Sequence, residues 1–332
     1  MEVLEQFDAA EIKRLLAEKH RFWLRLRKPE PETLHELGEL LGLSPTAIND
    51  SIEFGQRPKI EDYPNSALLV AYGSRTEHTA AGLLPRPIEV HFHITADAIV
   101  TVRHENVTAV GDVRRRISLD DIDTSEEALY RVLDGMAATF GPALSSVDDE
   151  VDRLEVLVLD NPRPELRQRL LELKHSLVRM RQVVDGQRDE LAGRRDLLDL
   201  VPGFHDPRSH DTLRDVYDRL VVVSNQLDSV RDSVSSALDL YVSAVSNRLN
   251  EIMKVLTIVA TFYLPLTFVT GFFGQNFGWM VKNVASREAF LLLGVGISLA
   301  IIGGLSFWFV RAGYITLPGG WGRRTAEDTP GP

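Results

Sequence analysis

Two long stretches near the end of the chain contain no charged residue. The first, 255–273, has 19 residues, and the second, 289–310, has 22. A helix needs about 20 apolar residues to cross a bilayer. The sequence therefore predicts two transmembrane helices, which the 15 residues of 274–288 join into a hairpin.

One face of the first stretch differs from the others in polarity. Its positions recur at alternating steps of three and four residues, the period of a supercoiled helix. They are mostly small or polar: Asn250, Met253, Thr257, Ala260, Leu264, Thr267, Gly271 and Gly274. The remaining faces are apolar, with Phe262 and Val269 among them, and suit lipid. The stripe suits either close packing against another helix or a water-filled path.

Pro265 favours the second interpretation of the stripe. Proline has no N–H, so the carbonyl of Thr261 loses its helical partner. A freed carbonyl in lipid is costly unless it faces protein or water. The hydroxyl oxygens of Thr257, Thr261 and Thr267 lie nearby in the sequence. An oxygen-rich stripe on an apolar helix indicates an ion path.

The same helix is predicted to begin near residue 207, which makes it roughly 100 Å long at about 1.5 Å per residue. An apolar seam follows one face, formed by Leu213, Leu220, Val223, Leu227, Val230, Val234 and Leu238. The membrane stripe continues backward on another face, through Asp215, Asp218, Val222, Asn225, Ser229, Asp232, Ser236, Asp239, Ser243 and Ser246. Nearly all of these carry oxygen ligands of the kind that hard cations prefer. Solvent exposure alone would explain the stalk, but its continuity with the membrane stripe favours a single oxygen-lined route.

We expect seven segments along the chain. They are a cytoplasmic α/β domain (1–124), an antiparallel helical hairpin (125–204), a stalk helix (205–254), a pore-lining first span (255–273), an external loop (274–288), a second span (289–310) and a basic cytoplasmic tail (311–332).

Within the first two segments, strands are expected at 88–94 and 99–104, joined by a hairpin turn. Segment 73–87, which contains Gly, Ser, Thr and Pro, is expected to be a mobile loop. The first arm of the helical hairpin is expected over 126–159, with a kink at Gly141 and Pro142. The second arm is expected from 165 to about 200.

His91 and His93 lie on the same face of one predicted strand. Two histidines so placed could bind a metal ion, but no third ligand stands at an obvious spacing. The solvated face of an antiparallel sheet is the favoured interpretation.

Composition limits the function further. The net charge of −11 argues against nucleic acid as a partner and suits a cation ligand. The absence of cysteine excludes disulfides and thiolate metal sites. No P-loop, HExxH or Gly-x-Ser-x-Gly motif occurs, so we expect no enzyme.

The ends of the chain indicate how it is placed in the membrane. The acidic, amphipathic N-terminus is not a signal peptide. Basic residues at Arg248, Lys254 and Arg311, outside the loop, favour cytoplasmic placement of both termini.

The run NEIMKVLTIVATFYLPLTFVTGFFGQNF closely resembles the pore helix and signature loop of the CorA family of divalent-cation channels. The family signature is Gly-Met-Asn followed by an aromatic residue, and this chain has Gly274, Gln275, Asn276 and Phe277. The resemblance continues upstream through LRDVYD (213–218) and DLYVSAVSN (239–247), and it covers roughly residues 55–315.

The resemblance implies an α+β cytoplasmic domain with long helices, followed by a two-span helical hairpin, in a funnel-shaped homopentamer of the plasma membrane. It implies a multi-pass protein that carries Mg²⁺, with Co²⁺ or Ni²⁺ as further ions, and that is gated by cytoplasmic Mg²⁺.

The resemblance also implies roles for individual residues. Asn276 and the Gly274 carbonyl would hold the hydrated ion at the mouth, and Thr267 and Asn250 would form further polar rings. Apolar constrictions would come from Met253, Leu256 and Leu264, while Asp232 and Asp239 would gather cations in the stalk. Asp215 would be a regulatory carboxylate, with Glu77 as a suggested partner from a neighbouring subunit.

Gln275 departs from the family pattern, since methionine is expected there. An amide can bind the water of an ion or a neighbouring chain, which leaves the choice between Mg²⁺ and Zn²⁺ open. A zinc transporter of the same family and a non-conducting, Mg²⁺-sensing membrane scaffold are the alternatives.

Overall fold

The computed structural model describes residues 1–79, 82–117, 124–193, 208–275, 277–283 and 286–314. The chain divides into two compact units, Met1–Ala244 and Val245–Pro332.

The first unit is built on one mixed sheet of six strands. In chain order these are β1 (Glu2–Leu4), β2 (Phe22–Arg27), β3 (Lys59–Tyr63), β4 (Ser66–Thr79), β5 (Gly82–Thr95) and β6 (Ala98–Arg103). Their spatial order is β1-β2-β6-β5-β4-β3, with β1, β2 and β6 parallel and the other pairs antiparallel.

Helices cover both faces of this sheet. They are α1 (Ala9–Ala17), α2 (Pro31–Leu41), α3 (Pro45–Ile52), α4 (Thr108–Ile117), α5 (Ser125–Ala138), α6 (Phe140–Asp160) and α7 (Pro164–Gly193). Alternation along β2 sends Phe22 and Leu24 into a core with α1, α2 and α3, and Trp23 into the larger core on the opposite face. The larger core contains residues of α4 to α7.

Segment 73–87 is not the loop that its composition predicts. Residues 73–79 and 82–87 form the far halves of β4 and β5, which pair from Ser66↔Thr95 to Thr79↔Gly82, while 80 and 81 lie outside the described residues. Pro85 and Pro87 are tolerated because β5 pairs with β6 only over 90–94, which leaves the proline stretch bonded on one side.

Two side chains of α7 hold this long strand hairpin in place. Arg169 is buried and donates to the carbonyl of Leu83 at 2.6 Å and to Glu150 of α6 at 3.3 Å. Ser176 donates to the carbonyl of Pro85. Gly82 has φ +125, and a Cβ there would lie 2.7 Å from Arg169 Nη2, so glycine permits this approach.

The predicted helix over 126–159 is interrupted at Thr139 rather than kinked at Gly141 and Pro142. The Thr139 hydroxyl donates to the Met136 carbonyl at 2.5 Å and accepts the amide N–H of Ser74 at 2.7 Å. A contact with β4 therefore ends α5. Pro142 is tolerated in the first turn of α6, where its missing N–H has no helical partner to lose.

Helix α8 (Arg208–Phe273) begins in the first unit and ends in the second. Its apolar seam is buried in the larger core, where Val216 and Ala237 join the predicted members. Leu238, the last predicted member, is partly buried against the same core.

The second unit is helical and contains two candidate membrane spans. One lies within Leu213–Phe273 and the other over Arg287–Arg311. Between them lies α9 (Gly278–Asn283). The second span comprises α10 (Arg287–Ala289), a π-helical segment (Phe290–Gly296) and α11 (Ile297–Arg311). An α+β unit with long helices followed by two apolar helices is the fold class that the sequence predicts.

Replacement of Arg169 by alanine should lower the free energy of unfolding by about 3–5 kcal/mol, because it leaves a part-buried carboxylate and a carbonyl without their donor. Denaturant unfolding of the detergent-solubilised protein, followed by circular dichroism, measures this loss. The matched control is Arg153→Ala, which removes an exposed arginine 4.0 Å from the same Glu150 and should change stability by less than about 0.5 kcal/mol. Equal losses in the two variants would contradict the role of Arg169.

Candidate ion pathway

The second span covers only one face of the first. The Phe262 ring stacks on Phe309 of α11 with centroids 5.7 Å apart. Phe262 is half-buried, and Val269, two turns further along the same face of α8, is buried. The assignment of Phe262 and Val269 to lipid is therefore wrong, because the helical hairpin uses this apolar face for its own packing.

The predicted stripe lies outside that contact. Seven of its eight members are exposed, namely Asn250, Met253, Thr257, Leu264, Thr267, Gly271 and Gly274, and Ala260 is half-buried. Leu256, the further predicted constriction, is 60% exposed, and Leu264 is 71% exposed. The chain thus leaves this face of α8 open within its own membrane unit.

The threonine hydroxyls of the first span have a defined polarity. Thr257 donates to the carbonyl of Met253 at 2.8 Å, and Thr261 donates to that of Thr257 at 2.8 Å. Each hydroxyl hydrogen is therefore directed at the backbone, and the oxygen keeps lone pairs that can only accept. An exposed oxygen of this kind suits a cation or the water around it.

The first span ends at the predicted mouth. Gly274 donates its amide N–H to the Thr270 carbonyl at 2.9 Å, and Gln275 donates its own to Phe272 at 3.3 Å. A Cβ on Gly274 would lie 2.9 Å from the Thr270 oxygen, so any side chain there requires the helix end to shift. Asn276, the third signature residue, lies outside the described residues.

The three predicted stalk and regulatory carboxylates are exposed. Asp215, Asp232 and Asp239 lie on the face of α8 opposite its buried seam, and within the described ranges none of them forms an ion pair. Glu77, the suggested partner of Asp215, pairs with Arg86 of the same chain at 2.7 Å. Over the part of the chain that the structure describes, no three His, Asp or Glu side chains are grouped to hold a metal ion.

The histidines on β5 belong to a buried network that sequence reasoning missed. His91 and His93 are 0% and 1% exposed. Ser51 of α3 places its Oγ 2.9 Å from His91 Nδ1 and 2.8 Å from His93 Nε2. Since α3 covers this face of the sheet, the expected solvated face is wrong. The alternation of Glu89, His91 and His93 was the available signal.

Glu89 determines which atoms of this network donate hydrogen bonds and which accept them. Burial opposes its ionisation, but hydrogen bonds from His91 and from the amide N–H groups of Gly55 and Gln56 outweigh burial and lower the pKa of Glu89. An ionised Glu89 can only accept, so His91 Nε2, 2.7 Å away, is the donor. With neutral rings, the Ser51 hydroxyl then donates to His91 Nδ1 and accepts from His93 Nε2.

Comparison with known proteins assigns the chain to a family. A sequence model described as "CorA-like Mg2+ transporter protein" matches residues 18–311. The chain belongs to this family, whose members transport divalent cations across membranes and are not enzymes.

Individual relatives agree with this assignment. The "Cobalt/magnesium transport protein CorA" of Thermotoga maritima is 32% identical over 253 residues, which cover 75% of this chain and 71% of the relative. The "Zinc transport protein ZntB" of Yersinia enterocolitica is 24% identical over 269 residues, covering 80% and 79%. The solved CorA magnesium transporter of Methanocaldococcus jannaschii shares the fold, with a TM-score of 0.75 at 21% identity, covering 88% of this chain and 91% of that one.

The first unit should lose stability in mild acid because of His93. Burial, together with the neighbouring His91, lowers the pKa of His93 from 6.5 to about 3. Between these values the unfolded chain binds a proton at His93 and the folded chain does not, so stability falls as pH falls, by at most about 1.4 kcal/mol per pH unit. His93→Gln keeps an Nε2–H donor for Ser51 without titrating, and should reduce this slope.

Denaturant unfolding of the solubilised protein at steps between pH 6.5 and 4.5 measures the slope. The exposed His175 supplies the control, because His175→Gln should leave the slope unchanged. The same slope in wild type and His93→Gln would refute the assignment.

Proposed function

We propose that this protein is a homopentameric channel for divalent cations in the plasma membrane, with Mg²⁺ as its main ion and Co²⁺ or Ni²⁺ as further ions. The observation that carries the proposal is the open face of α8. Within each unit this face is left uncovered, and it bears the oxygen atoms of Asp232, Asp239, Asn250, Thr257 and Thr267. Several copies placed around an axis would line one route with these atoms.

The small share of buried residues in the two spans favours an assembly of several copies. In the most apolar stretch of the first span 6% of the residues are buried, and in that of the second 0% are. Lipid can cover apolar side chains but not a stripe containing Asn250 and Thr267. Neighbouring copies and water would meet that requirement. Both termini are placed in the cytoplasm, where Arg248, Lys254 and Arg311 follow the positive-inside rule.

The mouth suits an ion that keeps its water. Mg²⁺ demands octahedral geometry and loses water reluctantly. A ring of Asn276 amides and Gly274 carbonyls would accept hydrogen bonds from the hydrated ion without stripping it. Gln275 would add a further amide to this ring.

Below the mouth, polar and apolar rings would alternate. Thr267 and Asn250 would offer oxygen, while Leu264, Leu256 and Met253 would narrow the path. Apolar constrictions close a pore by excluding water. Small movements of α8 would thus be enough to open or close the route.

Asp215 would couple the stalk to cytoplasmic Mg²⁺. Two carboxylates about 6 Å apart repel by roughly 3 kcal/mol at an effective dielectric constant near 20. A bound Mg²⁺ would cancel this repulsion between neighbouring copies and favour the closed ring. Glu77 is a weak candidate for the second carboxylate, since Arg86 already neutralises it.

A zinc transporter is the second candidate function. Two observations favour it: Gln275 replaces the methionine of the signature, and a zinc transport protein is among the relatives. A non-conducting, Mg²⁺-sensing scaffold would bind the ion without passing it.

Voltage-driven Mg²⁺ entry into liposomes that contain the purified protein should be lost in Asn276→Ala, because the variant removes the amide ring at the mouth. A Mg²⁺-sensitive dye inside the liposomes measures the entry. Asn283→Ala is the control, and this variant should conduct normally, since within the described residues Asn283 donates to the Trp279 carbonyl of its own helix α9. Zn²⁺ entry that follows a proton gradient, without Mg²⁺ entry, would support the second candidate. If neither Mg²⁺ nor Zn²⁺ enters and the assembly is intact, the non-conducting scaffold is the function that remains.

Asp215→Ala should weaken inhibition of flux by Mg²⁺ on the cytoplasmic side, because the closed ring would lose one of its ion ligands. The measurement is the Mg²⁺ concentration that halves flux, which should rise by about tenfold, the equivalent of one ion contact of about 1.4 kcal/mol. Asp189→Ala removes an exposed carboxylate of α7 and should leave inhibition as in wild type. Unchanged inhibition in Asp215→Ala would rule out the regulatory role.

A further inference from the structure

The membrane unit contains an apolar groove at its loop end. The groove has a volume of about 600 Å³, within the range of about 300–1,000 Å³ that is typical of small-ligand sites. Its walls include Phe273 at the end of α8, Met280 and Val281 of α9, and Phe290 and Leu293 of the π-helical segment. A ligand for this groove must therefore be largely hydrocarbon.

The position of the groove favours a lipid. Its walls come from the ends of both spans, where acyl chains meet headgroups in a bilayer. Leu291 and Leu292, beside the groove, are 50% and 71% exposed, so hydrocarbon reaches it directly. Trp279, on the same loop, is 72% exposed, and tryptophan is enriched at the membrane interface.

Two basic residues stand next to lining residues of the groove in the sequence, Lys282 directly after Val281 and Arg287 two positions before Ala289. Lys282 lies in the last turn of α9 and Arg287 at the start of α10, and both side chains are exposed. Neither forms an ion pair with any of the described residues. Glu288 is the single acid of 274–288, so the loop carries a net charge of +1 from two bases and one acid.

We propose that this groove binds an anionic glycerophospholipid, with an acyl chain between the walls and the phosphate at Lys282 and Arg287. The proposal goes beyond ion transport, because lipid binding requires no flux. Gly274 and Gln275 line the same groove. A bound lipid would therefore restrain the segment that follows α8, next to the proposed mouth.

The contribution of Lys282 and Arg287 is tested by measuring how much phosphatidylglycerol the full-length protein retains in detergent. Native mass spectrometry counts the lipids retained as phosphatidylglycerol is added. Lys282→Gln with Arg287→Gln should weaken retention roughly 30-fold, since each base near a membrane surface contributes about a factor of five toward an anionic lipid. Arg115→Gln with Arg153→Gln removes two exposed bases of the first unit and should retain lipid as wild type does. Equal retention in the two double variants would overturn the proposal.

A second pair of variants tests the groove itself. A Cβ at Gly294 would meet Phe290 no closer than 3.7 Å, so Gly294→Leu can be accommodated and would occupy part of the groove beside Phe290. Gly304 has open space around it and does not line the groove, so Gly304→Leu is the matched control. Gly294→Leu should lose phosphatidylglycerol, and Gly304→Leu should not.

Three other outcomes would also overturn the lipid site. They are retention of phosphatidylcholine as strong as that of phosphatidylglycerol, binding of free inorganic phosphate in place of the lipid, and a change of oligomeric state in Gly294→Leu without loss of lipid. The last would assign the groove to a neighbouring copy. If the protein retains phosphatidylglycerol in a charge-dependent way but passes no ion, the proposed function is refuted and the lipid site is supported. If it passes ions normally but does not discriminate between lipids, the proposed function is supported and the lipid site is refuted.

Discussion

The division of α8 into a covered face and an open face is the constraint on which the structure depends. In the first unit, Leu220 and Val234 are buried in the core while Asp232 is exposed. In the second unit, Phe262 meets the other span while Thr267 is exposed. A helix bonds its own backbone, so it can present different side chains to core, lipid and water without leaving main-chain groups unsatisfied. In the first unit α5 and α7 contact this helix, and in the second unit the second span does.

Much of this arrangement could be predicted from the sequence, because helical periodicity encodes which face is buried. The seam of α8 and the two spans follow directly from it. The hairpin of β4 and β5 could not be predicted in this way, because its glycines and prolines are typical of a loop. It is held in place by Arg169 and Ser176, both more than 80 residues away. The break at Thr139 likewise depends on a bond to Ser74. Contacts of this range leave no trace in local composition.

At the candidate site, too, the local sequence pattern predicts some features, while others depend on how distant parts of the chain pack together. Side-chain chemistry separates a polar stripe from the apolar faces, yet it could not divide the apolar faces between lipid and the second span, so Phe262 was misassigned. The hydrogen bonds of Ser51 to His91 and His93 could not be predicted, because α3, the helix that covers these histidines, lies about 40 residues away in the sequence. The groove depends on α9, a six-residue helix without an amphipathic pattern long enough to detect.

The placement of the α8 seam has a consequence for how the protein is made. Among the residues that the structure describes, every buried member of the larger core outside α8 precedes the seam in the chain, and the last fully buried seam residue is Ala237. Synthesis proceeds from the N-terminus at about 5–20 residues per second, and domains generally fold as units in that order. Every residue of that core is therefore synthesised before Val255, the start of the first span, and the core can begin to fold before the spans are complete. The membrane-insertion machinery would then receive the two spans from a chain in which every residue of that core has already been synthesised.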